Sequence, residues 1–299
     1  MGNENTLTCV LSVYIIYPSV DAGRGADTMK NKLVPYSEQR DRLVVKSNDL
    51  IQKSRFSLTV QQQRVILYLI SKIGYGDEDF REYEFDIKDF CRVCGLYDES
   101  GKHYAELKRQ IKEIRDKSMW IEIAESEEVL LSWLDGARIS RNSGKIKVRL
   151  SEDMKPYLLQ LRDNFTRYEI AYVLCMRSKY SIRLYELVKS IHYRELEAYV
   201  KTFTVEELRR RLDAETYPRF CNFNQRVLKP AVQEVNTYTD KEVSYEPIKK
   251  GQKVEAIELT IRSKDTLDRL KTRIMIDEQL GPEQMSLWDG EGDGKEMAT

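Results

Sequence analysis

The chain has 299 residues, of which 41% are hydrophobic and 33% charged, so it is long enough for two domains and has a globular rather than a disordered composition. Lysine and arginine together number 49, as do aspartate and glutamate, and the formal net charge of zero argues against a protein that coats DNA through bulk charge. A local basic surface is still compatible with that balance, and basic residues outnumber acidic ones between Arg162 and Lys229.

The N-terminal segment contains an apolar stretch, Leu7 to Tyr17, that is too short to span a membrane. No Lys or Arg precedes it, whereas a signal peptide requires a basic segment there. Met29 begins a more ordinary sequence, and one interpretation is that residues 1–28 are upstream sequence outside the native protein. We assign residues 1–44 to a partly disordered N-terminal extension, and residues 1–28 are given no function.

The first half of the chain alternates helical and strand patterns. Asn48 has the character of a helix N-cap, and Thr59 begins a strongly periodic helical segment that ends at Gly74. A strand (83–85), a short helix (86–94) and a basic amphipathic helix (102–118) are predicted next, followed by three strands at 119–124, 129–139 and 145–150.

Two cysteines in this half, Cys91 and Cys94, have the C-x-x-C spacing of metal and redox sites. The sequence supplies no second pair and no nearby histidine, and the amphipathic segment around them favours buried thiols. All five cysteines are scattered and their number is odd, so no disulfide framework is predicted and the expected location is the cytoplasm.

The second half repeats the order of patterns seen in the first. Residues 183–191, RLYELVKSI, resemble residues 64–73, RVILYLISKI, and 203–208, FTVEEL, match 85–90, FDIKDF, at nearly the same spacing. A basic amphipathic helix and a hairpin follow in each half. We therefore predict an α+β fold of two tandem winged-helix domains related by an internal duplication. The predicted domains are 45–155 and 156–270, followed by an acidic disordered tail, 271–299.

Residues 220–236, FCNFNQRVLKPAVQEVN, carry two helical patterns at once. Apolar residues recur at every third or fourth position, at Phe220, Phe223, Val227, Ala231 and Val235. Amide and cationic side chains recur on another face, at Asn222, Arg226, Lys229 and Gln233. Such groups read base edges and bind phosphates in a major groove, although an ordinary solvated helix face would have the same pattern. Pro230 either kinks one long helix or lies near the start of a shorter one.

A hairpin pattern follows this helix, with 243–248 (VSYEPI) and 254–261 (VEAIELTI) as strands and 249–253 (KKGQK) as the turn. A helix followed by a β-ribbon is how a winged helix-turn-helix presents itself to DNA.

Three segments carry a family resemblance: 48–73, NDLIQKSRFSLTVQQQRVILYLISKI; 180–191, YSIRLYELVKSI; and 223–236, FNQRVLKPAVQEVN, before a YEP-containing hairpin. In this order they resemble the iteron-binding plasmid replication initiator (Rep) proteins, which have two winged-helix domains. The resemblance runs from about Val45 to Arg262. It implies binding of direct repeats in origin duplex DNA, opening of an adjacent A·T-rich segment, and recruitment of the host replicative helicase and initiator machinery. It also implies homodimers, formed through the first domain, that repress the protein's own promoter.

The resemblance also assigns DNA-contacting residues. The principal recognition helix falls on Arg219 to Tyr238, with candidate contacts from Arg219, Asn222, Asn224, Gln225, Arg226 and Lys229. Helical spacing independently supports only Asn222, Arg226 and Lys229, and Arg226 is the strongest candidate for a base contact.

The first domain's basic helix supplies phosphate-binding candidates, namely Lys108, Arg109, Lys112 and Arg115. Acidic residues at i,i+3 and i,i+4 distances, Glu106, Glu113 and Asp116, would pair with them equally well. Lys249, Lys250 and Lys253 on the hairpin are candidates for backbone or minor-groove contacts, or are simply solvated.

Enzymatic functions find little support in the sequence. It contains no phosphate-cradling P-loop and no G-x-S-x-G nucleophile elbow. Its only histidines, His103 and His192, are too far apart to form the paired-histidine metal site of a nicking enzyme from one local motif. We therefore predict a binding protein rather than an enzyme, without cofactor or metal and not bound to a membrane.

Two rival functions remain open: a dimeric winged-helix transcriptional repressor without an initiator role, and a winged-helix protein–protein adaptor. Salt dependence separates the adaptor, because a protein that contacts several phosphates loses affinity steeply as salt rises. Symmetry separates the repressor, because a two-fold dimer needs a pseudo-palindrome whereas one chain with two unlike domains binds an asymmetric element.

Overall fold

The computed structural model describes residues 43–280, with gaps at 75, 94–102, 141–142 and 193–197. Up to residue 158 the elements are β1 (Leu43–Ser47), α1 (Asn48–Lys53), β2 (Ser54–Arg55), α2 (Val60–Ile70), β3 (Tyr83–Asp86), α3 (Ile87–Val93), α4 (His103–Arg115), β4 (Ser118–Ala124), β5 (Glu127–Ser132), β6 (Leu134–Ser140), β7 (Lys145–Leu150), a 3₁₀ turn (Glu152–Met154) and α5 (Lys155–Leu158). From residue 165 they are β8 (Phe165–Glu169), α6 (Ala171–Leu174), α7 (Lys179–Ile191), β9 (Tyr199–Thr204), α8 (Val205–Leu212), α9 (220–238), β10 (Lys241–Lys250), β11 (Lys253–Ser263) and α10 (Thr266–Leu280).

Two three-stranded sheets share one topology, with strand orders β3-β7-β6 and β9-β11-β10. In each, the strand that follows a long helix pairs antiparallel with the second strand of a hairpin, as in Tyr83 with Val148 and Phe203 with Ile257. The series α2-β3-α3-α4-β6-β7 is thus repeated as α7-β9-α8-α9-β10-β11. The predicted α+β fold of two duplicated winged-helix units is confirmed.

A third sheet, β2-β4-β5, is an addition to the first unit. The single strand predicted at 129–139 is wrong, because the chain divides there into β5, which pairs with β4, and β6, which pairs with β7. Between them lies Trp133, only 1% exposed, whose carbonyl accepts a hydrogen bond from the Ser151 N–H at 3.1 Å. Burial of this large side chain marks where the chain leaves one sheet and joins the other.

Helix caps follow the sequence closely. α2 has the predicted Thr59 cap, which forms a capping box with Gln62. The cap of α1 is one residue earlier than predicted: Ser47 Oγ accepts the Leu50 N–H at 3.2 Å. The Asn48 side chain instead donates to Asn164 Oδ1 at 3.0 Å, which ties α1 to the segment before β8.

The two units are joined by strand pairing and by buried charge. β1, which precedes the first unit, pairs antiparallel with β8, which leads into the second. Lys46 on β1 donates to both carboxylate oxygens of Glu186 on α7, at 2.8 and 3.0 Å, and Tyr168 on β8 donates to the same carboxylate at 2.5 Å. The Lys46 and Glu186 side chains are 3% and 6% exposed, so this ion pair lies in the protein interior.

Arg183 makes a second buried connection. Its guanidinium donates to the backbone carbonyls of Arg211 (2.8 Å), Phe56 (2.9 Å) and Ser54 (3.3 Å) and stacks on the Phe56 ring at 4.1 Å. One side chain of α7 therefore holds both the end of α8 and the β2 region of the first unit. Burial lowers the pKa of Arg183 to about 10, so the group is still charged at neutral pH.

Helix α9 is continuous but not uniform. Phe220–Phe223 and Lys229–Tyr238 are α-helical, and Asn224–Leu228 between them form a π turn in which the Lys229 N–H bonds to the Asn224 carbonyl. Both alternatives for Pro230 are partly realised, because it lies inside one long helical run and also in the first turn of its final α-helical part.

The apolar spacing of α9 explains the π turn. Four fully buried residues of α9 are spaced four residues apart: Phe223, Val227, Ala231 and Val235. In an α-helix, each such step would turn the side-chain direction about 40° around the axis, or about 120° over three steps. A π turn inserts one extra residue, which takes up about 100° of that drift. The buried face therefore stays pointed at the core along the whole helix.

The C-terminal helix α10 extends ten residues into the segment predicted as an acidic tail, 271–299. It packs on the second unit through Ile276, which is buried beside Ala171 and Cys175. Residues 1–42 and 281–299, which include the rest of the tail and nearly all of the predicted N-terminal extension, lie outside the described residues. No helix within the described ranges is long and apolar enough to cross a membrane.

Candidate nucleic-acid interface

The second unit presents a helix-turn-helix formed by α8 and α9. Thr204 caps α8 by accepting the Glu207 N–H at 3.0 Å, and Asp213 ends the helix in the left-handed region, with φ of 57°. Leu208 and Leu212 on α8 and Phe223 on α9 are fully buried. The buried residues leave the opposite face of α9 at the surface.

That surface carries most of the predicted recognition residues. Five side chains are exposed: Arg219, Asn222, Gln225, Arg226 and Lys229. Among the residues that the structure describes, no ion pair or side-chain hydrogen bond engages Arg219, Arg226 or Lys229. Three cationic groups, two on α9 and one at its N-cap, therefore remain available for an external anion or acceptor.

Asn224 differs from the other predicted residues of α9. It is half-buried, and its Oδ1 accepts a hydrogen bond from the Tyr245 hydroxyl on β10 at 2.6 Å. Asn236 makes a second link, donating to the Val243 carbonyl at 2.9 Å and accepting the Val243 N–H at 2.7 Å. These asparagines fix the hairpin against α9, whereas Asn224 was predicted to contact DNA and Asn236 had no predicted role.

The hairpin β10-β11 is longer than predicted. The predicted five-residue turn, 249–253, is wrong: Lys250 pairs with Lys253, and only Gly251 and Gln252 remain in the turn. Gly251 has φ of 63°, which glycine adopts without strain. Lys249, Lys250 and Lys253 are thus exposed at the ends of two paired strands, projecting from the tip of the wing.

In the first unit, the equivalent helix is α4, and the structure separates its four predicted basic residues. Arg109 pairs with Glu106 at 2.6 Å and with Glu113, so the alternative of internal ion pairs holds for this residue. The hydrogen bond from Arg109 lowers the pKa of Glu106. Arg115 donates to the Asp135 carbonyl at 3.1 Å.

Lys108 and Lys112 lie one turn apart on the exposed side of α4. Neither has an ion pair within the described part of the chain. They are the members of the predicted set that are free to bind phosphate.

Three consecutive arginines at the end of α8, Arg209 to Arg211, were not among the residues predicted to contact DNA. Arg209 stacks on Phe223 with 5.3 Å to the ring centre, and Arg211 pairs with Glu207 at 2.8 Å. Arg210 between them is exposed and has no ion pair among the described residues. The sequence signal for this residue was three consecutive arginines in a helix with one buried face. Because consecutive residues point in different directions around a helix, one of the three must face outward.

The chemistry-bearing side chains considered from sequence are mostly internal. Cys91 is buried, and burial raises the pKa of its thiol to about 12; Cys94 lies outside the described residues. His192 is buried beside Lys241, with 3.2 Å between Nδ1 and Nζ. Among the described residues no group of three or more His, Cys, Asp or Glu is placed to hold a metal ion.

Comparison with known families gives matches over both units. The family model described as Initiator Replication protein, WH1, matches residues 43–189, and the model described as Initiator Rep protein, WH2, matches residues 204–261. A curated relative, a replication initiation protein of Escherichia coli, is 27% identical over 206 residues, which cover 66% of this chain and 63% of the relative. The match therefore spans less than two thirds of that relative's length.

A solved structure, described as the crystal structure of Pi initiator protein in complex with iteron DNA, is similar with a TM-score of 0.62. It is 19% identical in sequence, and the superposition covers 76% of this chain and 99% of that one. At this identity the likeness establishes the arrangement of the fold.

Proposed function

The chain belongs to the initiator replication protein family, and we propose that it starts replication of a plasmid by binding direct repeats in origin duplex DNA. The observation that carries this proposal is the pair of equivalent helices, α9 and α4, in two winged-helix units linked by the β1–β8 pairing. Both helices expose cationic side chains that have no ion pair among the described residues. Phosphate contacts from Lys108, Lys112 and the wing lysines set the register, and α9 reads base edges in the major groove.

The later steps of the proposal are physical rather than covalent. Binding to adjacent repeats bends or unwinds the duplex, and the strain falls on a deformable A·T-rich tract, which opens. The host replicative helicase and initiator machinery are then recruited to the opened strand. The protein acts in the cytoplasm, associated with the plasmid and nucleoid.

The experiment that tests this function is selection from random duplex DNA by the purified protein at fixed, near-physiological salt. Recovery of a long asymmetric element that also occurs as tandem copies beside an A·T-rich tract supports the initiator. Recovery of a palindrome alone favours the repressor, and no enrichment by folded protein favours the adaptor.

Replacement of Arg226 by alanine should cost about 1–3 kcal/mol of affinity for the selected element. The guanidinium is exposed on α9 and has no ion pair among the described residues, so its removal should delete a DNA contact and leave the fold intact. Binding of specific and random duplexes is compared by fluorescence anisotropy. An unchanged ratio of the two affinities would refute the assignment of α9 as the base-reading helix.

Lys112→Ala is the matched control, because Lys112 is also exposed and unpaired among the described residues but lies on α4. It should weaken binding to all duplexes alike and reduce the slope of log affinity against log salt by about one.

We further propose that the protein forms a homodimer through the first unit and represses its own promoter in that state. The added sheet β2-β4-β5 supports this, since Trp120 (45%) and Leu130 (50%) are exposed on one of its faces and Ile123 (47%) is exposed near the end of β4. Trp120 and Leu130 are cross-strand partners, and β5 is an edge strand. A second copy that covers this face would bury an aromatic anchor and pair a free edge.

Trp120→Glu should weaken dimerisation about tenfold or more, measured by sedimentation equilibrium, with binding of a single asymmetric element retained. Ile274→Glu is the control, because Ile274 is similarly exposed (51%) but lies on α10 in the second unit. Equal effects of the two substitutions would show that the added sheet is not the dimer surface.

A further inference from the structure

The π turn of α9 leaves one backbone carbonyl without a helical donor. In an α-helix the Gln225 carbonyl would accept the Lys229 N–H, but that N–H bonds to the Asn224 carbonyl. If the π pattern continued, the donor to the Gln225 carbonyl would be residue 230, which is proline and has no N–H. Both donors that an α- or π-helix can supply to this carbonyl are therefore removed.

The position of this carbonyl is on the outer face of the helix. Gln225, Arg226 and Lys229 are exposed, and a helical carbonyl points along the axis toward the residue four positions on, here Lys229. The acceptor is thus placed among the cationic side chains described above. Arg and Lys side chains are donors only, so the carbonyl adds the opposite hydrogen-bonding character to that surface.

We propose that the Gln225 carbonyl is a base-reading acceptor, which takes a hydrogen bond from an exocyclic amino group in the major groove. Such groups are the N6 amino group of adenine and the N4 amino group of cytosine, whereas guanine and thymine present acceptors at the corresponding atoms. Pro230 is the positioning residue, because its missing N–H keeps the acceptor free. This inference rests on the proposed function and adds to it a backbone contact, which truncation of a DNA-contacting side chain would not reveal.

The test uses the duplex recovered in the selection experiment, with one amino group deleted at a time by placing purine for adenine or 2-pyrimidinone for cytosine. With the wild-type protein, deletion at the position read by the carbonyl should weaken binding about 3- to 10-fold. Pro230→Ala restores the N–H that the π pattern, continued by one residue, would donate to the Gln225 carbonyl. In that variant the same deletion should weaken binding less than twofold. All other deletions should have the same effect on both proteins.

Pro247→Ala is the matched control, since Pro247 is exposed in the same unit but lies on β10, away from the π turn. Deletion of the amino group read by the Gln225 carbonyl should weaken binding by Pro247→Ala as much as it weakens binding by the wild type. Identical deletion profiles for wild type and Pro230→Ala would overturn the inference and show the carbonyl to be merely hydrated. Failure of the wild type to select any element would instead overturn the proposed function.

A second measurement needs no variant of Pro230. In protein labelled with ¹³C at glutamine carbonyls, the Gln225 resonance, assigned with Gln225→Asn, should shift on binding the intact duplex and not on binding the duplex that lacks the amino group. Equal shifts with both duplexes would also contradict the inference.

Discussion

Replacement of Glu186 by glutamine is expected to lower the free energy of unfolding by about 3–5 kcal/mol. Glu186 is the buried counter-ion of Lys46 and also accepts the Tyr168 hydroxyl, and these three residues lie on α7, β1 and β8. Glutamine keeps the shape and an acceptor for Tyr168 but leaves the Lys46 ammonium in the interior without a negative partner. Urea denaturation measures the loss, since guanidinium salts would screen the charges being tested.

The control is the double variant in which Lys46 is methionine and Glu186 is glutamine. It buries no charge, so it should be more stable than Glu186→Gln alone despite carrying one more substitution. If the effects of the two substitutions on the free energy of unfolding were simply additive, the destabilisation by Glu186→Gln would have to come from altered packing rather than from an unpaired charge.

Arg183→Ala should also cost about 3–5 kcal/mol and, in addition, uncouple the unfolding of the two units. The substitution leaves three backbone carbonyls, of Ser54, Phe56 and Arg211, without the guanidinium and removes the stacking on Phe56. By calorimetry the wild type is expected to unfold in one transition, and Arg183→Ala should broaden or split it, because these contacts join the first unit to the second.

Arg210→Ala provides the comparison, because Arg210 is exposed, and it should change stability by less than about 0.5 kcal/mol. One sharp transition in Arg183→Ala, with a loss near that of Arg210→Ala, would mean that the units are held together elsewhere.

The order of elements could be predicted from sequence because it depends on local patterns. The Thr59 capping box, the alternation of Tyr83 and Phe85, and the apolar spacing of α9 each act over a few residues. The duplication was visible for the same reason, since the two units repeat those local patterns in one order.

Features that depend on distant residues could not be predicted. The strand change at Trp133 is decided by which sheet each neighbouring strand joins, and the strand-like pattern from 129 to 139 does not record that choice. The pairing of Lys46 with Glu186 spans 140 residues, and nothing near either residue in the sequence points to the other. Within the candidate site, helical spacing predicted which side chains of α9 face outward, but not that Asn224 would turn toward Tyr245.

The π turn is an intermediate case. The strict four-residue spacing from Phe223 to Val235 contained the signal, because that spacing cannot stay on one face of an α-helix. Taken as simple periodicity, that spacing indicated only a helix. Pro230 was the residue that marked where the helix departs from regular α-helical hydrogen bonding.

The pairing of β1 with β8 limits which fragments of the protein can be expressed separately. A fragment cut between residues 155 and 156 would carry β8 without the strand that covers its edge, and Glu186 without Lys46. Open strand edges promote self-association, so such a fragment should aggregate, and its failure to bind DNA would say nothing about the intact second unit. Expression of the second unit alone therefore needs a tethered copy of residues 43–47, restored as a separate β1 strand.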